Sequence, residues 1–410
     1  FGLAAFWALP FAWYALQGMM ADPGWLPVGN VIGSNSPLPG EILPALVVGL
    51  IALVWTSIRR DHVAPLIALT VIPLVAYFVL PSLGISSTWS IRLLPYWFYG
   101  LFVLAGIGIG LVIIEAGKRV TTQFDLVAAS AAIVTAMLVA VTIVQVADLA
   151  RWVEWDFSGY ESKAEYPEYA ALMDTIGDLP PGRVMWEYNV DMGKYGTDGA
   201  LMLIPYWSPD HPTMQGLYRD SSITAPFTFL SQSEVSFEPS FRTPGLAYHP
   251  MDFERATRHL DLYAVRYYIS FTDEAESAAL EAGLVPVAVA RPWVIFELPR
   301  SDLVEPAPSE PAVWTGGGDF SIAALEWYDD VDHLNRGLTA DGPASWRRVN
   351  SVDERLLTPP ITYEQPPGAV SNVQIEDDRI SFNTTAIGVP HLVKASYFPN
   401  WEAKGAAGPY

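Results

Sequence analysis

The stretch Leu126–Ala147, LVAASAAIVTAMLVAVTIVQVA, is the last long apolar run of this chain, and residues 150–410 contain no comparable run. The five such runs are Phe1–Met20, Leu43–Ile58, Val63–Leu83, Leu93–Ile114 and Leu126–Ala147. A bilayer core about 30 Å thick needs about 20 mostly apolar residues per helix, because lipid offers no partner to a free backbone amide. The sequence therefore predicts a polytopic α-helical membrane bundle of about five helices in residues 1–149.

Charge divides the chain at the same place. The full sequence of 410 residues has a net charge of −21. Residues 1–149 hold five basic and six acidic residues, and the remaining 18 basic and 38 acidic residues give the rest of the chain a charge of −20. So acidic a region is not held to nucleic acid or to anionic lipid by its net field. Nucleic acid is therefore not an expected partner.

Basic residues in the short loops predict the orientation of the bundle. Arg59 and Arg60 follow the second run, and Lys118 and Arg119 follow the fourth. The loops on the opposite side contain only Arg92. Because short cytoplasmic loops are enriched in Lys and Arg, both basic pairs are expected in the cytoplasm. The sequence thus predicts a multi-pass protein of the cell membrane, with residues 150–410 on the extracytoplasmic side.

Cysteine is absent, which excludes disulfides, iron–sulfur clusters and thiolate chemistry. A region of about 260 residues can bury enough apolar surface to fold without disulfides. The chain starts inside an apolar run without a methionine and stops at Gly-Ala-Ala-Gly-Pro-Tyr. We therefore expect a fragment that is cut at both ends.

Residues 150–302 are predicted to form an exported α/β domain, because helical spacing alternates with β-rich runs. The predicted helices are Tyr166–Ile176, Glu254–Tyr263 and Asp273–Ala282, and the predicted strands are Arg183–Tyr188, Val265–Phe271, Leu284–Ala290 and Trp293–Leu298. Leu303–Pro311 is a Pro-rich acidic linker. The segments Thr315–Asn335, Ile375–Thr384 and His391–Lys404 show short β patterns. They predict a truncated C-terminal β-sandwich over residues 312–410.

Several stretches of this region resemble one family. They are YPEY (Tyr166–Tyr169), LPPGRVMWE (Leu179–Glu187), TMQGLYRDSSI (Thr213–Ile223), HLDLYAVRYY (His259–Tyr268) and GVPHLVKASYFPNWEAKGA (Gly388–Ala406). The stretches are similar to those of the multispan membrane proteins called 6-pyruvoyl-tetrahydropterin synthase-related. The membrane body of that family resembles GT-C glycosyltransferases, which take sugars from polyprenyl-phosphate carriers.

The resemblance implies a GT-C-like glycosyltransferase, or a degenerate relative, that acts in cell-envelope glycan assembly. Membrane lipid and a polyprenyl-linked sugar or envelope glycan are the implied partners. Such an enzyme needs no organic cofactor, and a divalent metal is an open alternative. A non-catalytic membrane-anchored binding or structural protein of the envelope is the alternative function.

The activity in the family's name is not expected here. Pterin synthases hold zinc through three histidines, two of them in a His-x-His pair. No two of the six histidines of this chain lie closer than ten residues, so the local pair is missing. Pterin synthesis is also a cytosolic reaction, whereas residues 150–410 are predicted to be exported.

Arg92 is the strongest candidate in the membrane part for binding a substrate. It is the one basic residue of the short outer loops, where a guanidinium can bind a lipid phosphate through two parallel hydrogen bonds. An arginine that only anchors a helix end is the other interpretation. Glycosyl transfer also needs a carboxylate to deprotonate the acceptor, and Asp22 and Glu41 are the weak catalytic candidates in the outer loop.

Aromatic residues beside acids suggest a sugar-binding surface in the acidic region. Trp186, Asp191 and Trp207 lie in two such segments, and Trp401 lies in Tyr397–Trp401. Flat rings beside carboxylates suit sugars, which present C–H faces and hydroxyl edges. The same pattern arises when Trp and Tyr fill a core or pack in a β-turn, which is the more frequent case.

Overall fold

The computed structural model describes residues 5–16, 42–59, 64–82, 93–120, 124–145, 147–216, 223–241, 243, 245–299, 301–363, 366–376 and 378–410. The chain divides into two compact units. Unit 1 comprises Phe1–Ala21 and Tyr160–Tyr410, and unit 2 comprises Asp22–Gly159.

The helices in chain order are α1 (Ala5–Leu16), α2 (Leu43–Arg59), α3 (Ala64–Ser82), α4 (Leu94–Val120), α5 (Phe124–Gln145), α6 (Ala147–Phe157), α7 (Tyr166–Gly177), α8 (Ile204–Trp207), α9 (Ala225–Glu234), α10 (Phe253–Leu262), α11 (Asp273–Glu281) and α12 (Phe320–Asp329). The strands are β1 (Arg183–Trp186), β2 (Val265–Ser270), β3 (Val285–Ala290), β4 (Trp293–Glu297), β5 (Val304–Pro306), β6 (Ala312–Trp314), β7 (Leu338–Thr339), β8 (Arg348–Val349), β9 (Val370–Ile375), β10 (Ile380–Thr384) and β11 (His391–Val393).

Unit 2 is helical, and α4 packs against both α2 and α3. Glycines allow these helices to approach closely. A Cβ atom added to Gly108 would lie 2.8 Å from the Cβ of Ala52 on α2, and one added to Gly100 would lie 2.4 Å from Oγ1 of Thr70 on α3. Distances this short do not occur between real Cβ atoms and their neighbours, so only glycine fits at both positions.

The prediction of a polytopic membrane bundle is wrong for the part of the chain that the structure describes. One helical stretch there, Leu94–Arg119, is long and apolar enough to cross a membrane, with a mean hydropathy of 2.3. The apolar stretches Ala45–Trp55, Ile67–Val79 and Ala128–Met137 are shorter than the roughly 20 residues that a span needs. Moreover, α1 belongs to unit 1 rather than to the helices of unit 2. The described fold is mixed α/β.

The centre of unit 1 is a four-stranded sheet in the order β1-β2-β4-β3. Strands β1 and β2 are parallel, whereas β4 is antiparallel to both β2 and β3. Both faces are covered. Leu172 and Ile176 of α7 pack on the face that includes Trp186, while Leu260 of α10 and Ala279 of α11 pack on the other. The seven elements predicted between residues 166 and 298 are confirmed, each to within two residues.

Side-chain caps fix where the helices of this α/β layer begin. An oxygen of Asp252 accepts hydrogen bonds from the backbone amides of Glu254 and Arg255 at the start of α10. The hydroxyl of Thr272 accepts one from Ala275 at the start of α11. Asp and Thr stabilise helix starts in this way because the first amides of a helix have no partner within it.

A buried polar network joins α9, α10 and α12. The carboxylate of Glu234 accepts a hydrogen bond from Nε of Arg255 at 2.7 Å, and its second oxygen lies 2.7 Å from Nδ1 of His259. Nε2 of His259 lies 2.8 Å from the backbone oxygen of Tyr328. The His259 and Tyr328 rings stack with centroids 3.7 Å apart. The Glu234 carboxylate is therefore paired where water does not reach it.

The predicted C-terminal β-sandwich is wrong. The described strands after residue 303 form a three-stranded sheet and two separate pairs, β9 with β10 and β5 with β11. Strand β9 is exposed along almost its whole length, so it offers no apolar inner face to a second sheet. Within the predicted β segment Thr315–Asn335, residues 320–329 form α12, which begins after an Asp319 cap.

Candidate ligand-binding site

The carboxyl ends of β1 and β2 meet at one edge of the sheet. Glu187 directly follows β1, and Phe271 directly follows β2. In open α/β sheets, ligands bind beyond the carboxyl ends of the parallel strands. A ligand site in unit 1 is therefore expected at this edge of the sheet.

Glu187 fixes the chain that leaves β2. Its buried carboxylate accepts hydrogen bonds from the amides of Phe271 at 2.7 Å and Thr272 at 2.9 Å, and from the Thr272 hydroxyl at 2.7 Å. Burial raises the pKa of Glu187, and the hydrogen bonds from Thr272 and Phe271 partly offset that rise. Glu187 thereby holds in place both Phe271 and Thr272, the residue that caps α11.

An open pocket of about 360 Å³ lies beside Phe271. Its lining combines an aromatic ring, a proline, two cations and two carboxylates: Glu168, Lys194, Phe271, Asp273, Arg291 and Pro292. Lys194 belongs to the short 3-10 helix Val190–Tyr195, which begins where Asn189 accepts a hydrogen bond from the Asp191 amide. The lining therefore comes from α7, from this 3-10 helix, from the start of α11 and from the turn between β3 and β4.

Glu168 is held by two neighbours. Its Oε2 accepts a hydrogen bond from the Tyr195 hydroxyl at 2.6 Å and lies 3.4 Å from Nζ of Lys194. The hydrogen bond from Tyr195 lowers the pKa of Glu168, and Lys194 contributes to the same effect. Burial and the same carboxylate raise the pKa of Tyr195. Glu168 is thus a charged acceptor at neutral pH.

Aromatic rings lie on the core side of these charged groups. Nζ of Lys194 lies 4.8 Å from the centre of the Tyr195 ring and 5.7 Å from that of Phe271. The buried ring of Trp293 lies 4.7 Å from Tyr195 and 5.9 Å from Phe271. Its indole N–H has no hydrogen-bond partner within the described protein atoms. A cluster of tilted aromatic rings therefore supports the pocket from within the core.

Arg291 completes the pocket on its exposed side. Its guanidinium donates to both carboxylate oxygens of Glu276, at 2.7 and 3.3 Å. These hydrogen bonds and the negative charge of Glu276 raise the pKa of Arg291. A two-point contact holds the guanidinium plane in one orientation. The cation is thus pre-positioned at the pocket.

The chemistry of this lining suits binding. Carboxylates and planar cations hydrogen-bond to hydroxyl groups, and an aromatic ring packs on C–H groups. The six lining residues include no Ser, Thr, Cys or His that could act as a nucleophile with its base. Among the described residues, no group of three or more His, Asp or Glu side chains could hold a metal ion. The described residues therefore offer no site for the divalent metal that the sequence left as an open alternative.

The sequence candidates lie elsewhere. Asp22, Glu41 and Arg92 lie outside the described residues, so their predicted roles stay predictions. Trp186 is 1% exposed and packs in the core on the α7 face, in agreement with the packing interpretation. Asp191 is exposed and shares a 3-10 helix with Lys194.

Trp207 and Trp401 are partly exposed, and neither lines the pocket. The Trp207 ring meets Tyr206 edge to face at 5.0 Å. The Trp401 amide donates to the Phe398 carbonyl at 3.0 Å, which closes a turn, and the predicted ligand-binding role of Trp401 stays a prediction.

Sequence reasoning missed all six residues that line the pocket. Phe271 and Asp273 carried a usable signal, because Phe271 ends a predicted strand and Asp273 begins the predicted helix that follows it. Glu168, Lys194 and Arg291 carried none, because only the packing of α7 and the β3–β4 turn on the sheet brings them together.

Comparisons of the chain with protein-family models, with curated proteins and with solved structures found no match. The family resemblance of the sequence therefore stays a prediction, and the site is interpreted from its own geometry.

Proposed function

We propose that this chain is a membrane-anchored binding protein whose unit 1 holds a neutral glycan in the pocket at the carboxyl edge of the sheet. The pocket carries the proposal, because it combines the Phe271 ring with two carboxylates and two cations. Lys194 is paired with Glu168 and Arg291 with Glu276, so neither cation favours an anionic ligand, and these groups can bind the hydroxyl groups of a neutral one as donors and acceptors.

The membrane anchor is supported by α4. Its stretch Leu94–Arg119 has the length and hydropathy of a span, and basic residues Lys118 and Arg119 lie at its end. Basic residues at one end of a span anchor it at the headgroup level. Binding of an envelope glycan by a chain fixed to the membrane would keep that glycan near the cell surface.

A binding experiment on the full chain in detergent tests the pocket. Saturation-transfer NMR is recorded with three neutral hexasaccharides, built of glucose, of mannose and of N-acetylglucosamine. We expect at least one to receive saturation from the protein and to lose it in Phe271→Leu, which removes the ring but keeps apolar bulk. If none of the three binds at millimolar concentration, the glycan proposal is wrong.

Two further variants locate the ligand in the pocket. Phe241→Leu makes the same chemical change at an exposed ring that contacts Tyr248 and does not line the pocket, so binding should persist. Arg291→Gln should weaken binding by about tenfold, which corresponds to the loss of one charged hydrogen bond of about 1.4 kcal/mol. Arg379→Gln removes an exposed charge outside the pocket lining and should change nothing.

Glycosyl transfer from a polyprenyl-linked sugar remains a prediction from the family resemblance. Arg92, Asp22 and Glu41, on which it depends, lie outside the described residues. Transfer of a radiolabelled carrier-linked sugar by the wild type, lost in Arg92→Ala, would establish it.

A further inference from the structure

Helix α1 is apolar on all sides. Its sequence, AFWALPFAWYAL, contains no charged residue, and Phe6, Leu9 and Trp13 are 81%, 68% and 63% exposed. A helix that is apolar all round is stable either inside a protein core or in a membrane. Because these side chains are uncovered by protein in unit 1, the core alternative does not describe α1.

The turn Phe398–Trp401 lies beside α1 and adds to the same surface. The Tyr14 hydroxyl donates to Oδ1 of Asn400 at 2.8 Å, and the Tyr14 ring lies 4.9 Å from that of Phe398. Tyr397, Phe398 and Trp401 are all partly exposed. Two separate segments of unit 1 therefore place aromatic rings on one continuous patch.

Two polar atoms of these rings are bonded within the protein. The Trp401 indole donates to the backbone oxygen of Ser396 at 3.1 Å, and the Tyr14 hydroxyl is held by Asn400. Neither of these two atoms therefore needs water, and the rings present apolar faces to their surroundings. An open apolar groove of about 570 Å³ runs along α1 and is lined by Leu9, Pro10, Ala12, Trp13 and Tyr14.

We propose that α1 and the turn Phe398–Trp401 form a bilayer-contacting surface of unit 1, with their rings at the boundary between headgroups and acyl chains. This proposal rests on the membrane anchoring proposed above, because α4 is what brings the chain to a bilayer. Lipid is favoured over a protein partner because α1 contains no charged residue that could select one.

Charged residues follow the aromatic ones at the edge of this patch. Glu402 and Lys404 are both exposed directly after Trp401. Trp and Tyr concentrate at membrane interfaces, where their rings contact acyl chains while nearby charges stay in the headgroup layer. The order of residues from Tyr397 to Lys404 matches that gradient.

Site-directed fluorescence tests the surface, and the absence of cysteine from the sequence makes each label unique. Trp13→Cys, Tyr397→Cys and Phe398→Cys are labelled with the fluorophore NBD, and the full chain is reconstituted in phosphatidylcholine vesicles that contain a doxyl-labelled lipid. Ser277→Cys on the exposed side of α11 is the matched control. Unchanged near-ultraviolet circular dichroism confirms that each variant is folded.

We expect labels at 13, 397 and 398 to lose about half or more of their emission to the lipid quencher, because rings at the interface lie within its reach. The label at 277 should lose almost none. Equal quenching at all four positions overturns the proposal. Labels that are shielded from aqueous iodide but not quenched by doxyl lipid also overturn it, since a second copy of the chain then covers the patch.

The two proposals fail in different ways. If the chain stays with the vesicles after alkaline washing while labels 397 and 398 remain unquenched, the surface is wrong and the anchor stands. If the chain leaves the vesicles, both the anchor and the surface are wrong.

Discussion

Glu187 does not line the pocket. Among the residues that do not touch a ligand, it is the one whose replacement should affect the site most. Its buried carboxylate binds two backbone amides and one hydroxyl at the start of α11. We expect Glu187→Ala to lower the free energy of unfolding by about 3 kcal/mol, because buried donors then lack partners. Urea unfolding of the full chain in detergent measures this. Glu281→Ala, on the exposed end of the same helix, should change it by less than about 0.5 kcal/mol.

The pH dependence of stability gives a second residue-level prediction. Burial raises the pKa of Glu187 in the folded chain above the value near 4.5 expected for the unfolded chain. Between these two values the folded chain binds more protons, so the free energy of unfolding falls as pH rises through the interval. Glutamine cannot titrate. The stability advantage of the wild type over Glu187→Gln should therefore be larger at pH 4.5 than near pH 7. An advantage that grows with pH would contradict the assignment.

At the scale of elements, the network around Glu234 should hold α9, α10 and α12 together. Glu234→Gln removes the charge that Arg255 and His259 share, so we expect a loss of about 3–5 kcal/mol in the free energy of unfolding. Glu238→Gln makes the same change at an exposed position four residues further on and should be nearly neutral. A loss below about 1 kcal/mol for Glu234→Gln would mean that stacking on Tyr328, not charge pairing, joins the helices.

Glycine spacing on α4 gives a matched pair of substitutions. Alanine at Gly108 would collide with Ala52 of α2, whereas at Gly110 nothing lies within 4 Å. We expect Gly108→Ala to destabilise the α2–α4 contact by about 1–3 kcal/mol and Gly110→Ala to be neutral or stabilising. Thermal unfolding of unit 2 in detergent, followed by circular dichroism, separates the two. Equal midpoints would show that α2 can move away from α4 without cost.

The α/β elements between residues 166 and 298 could be predicted because every local signal agreed. Pro180 and Pro181 end one element, and side-chain periodicity switches clearly between helix and strand. Helix α12 could not be predicted, since its start depends on the Asp319 cap, which directly follows three glycines at 316–318. The pocket depends on the order of strands in the sheet, which local spacing does not encode. Hydropathy alone overestimated the membrane part, since among the described residues one helical stretch, Leu94–Arg119, is both long and apolar enough to cross a membrane.

For the whole molecule, the placement of unit 1 outside the cytoplasm remains a prediction, because it requires the chain to cross the membrane again between the basic end of α4, at Lys118 and Arg119, and residue 160. Ser277→Cys supplies one accessible thiol in a chain without cysteine. We expect a membrane-impermeant maleimide to label it in intact cells as fully as in permeabilised ones. Labelling that appears only after permeabilisation would place unit 1 in the cytoplasm and would contradict binding of an envelope glycan.

The hydrogen bond between Tyr14 and Asn400 joins residues 386 positions apart. At a synthesis rate of 5–20 residues per second, the ribosome needs about 20–80 s to make the second partner after the first. During that time α1 is exposed with its aromatic side chains uncovered, while the whole of unit 2 has already been translated. Unit 1 therefore cannot close before the turn Phe398–Trp401 is made, and until then α1 must be kept from aggregating, by a chaperone or by the membrane itself.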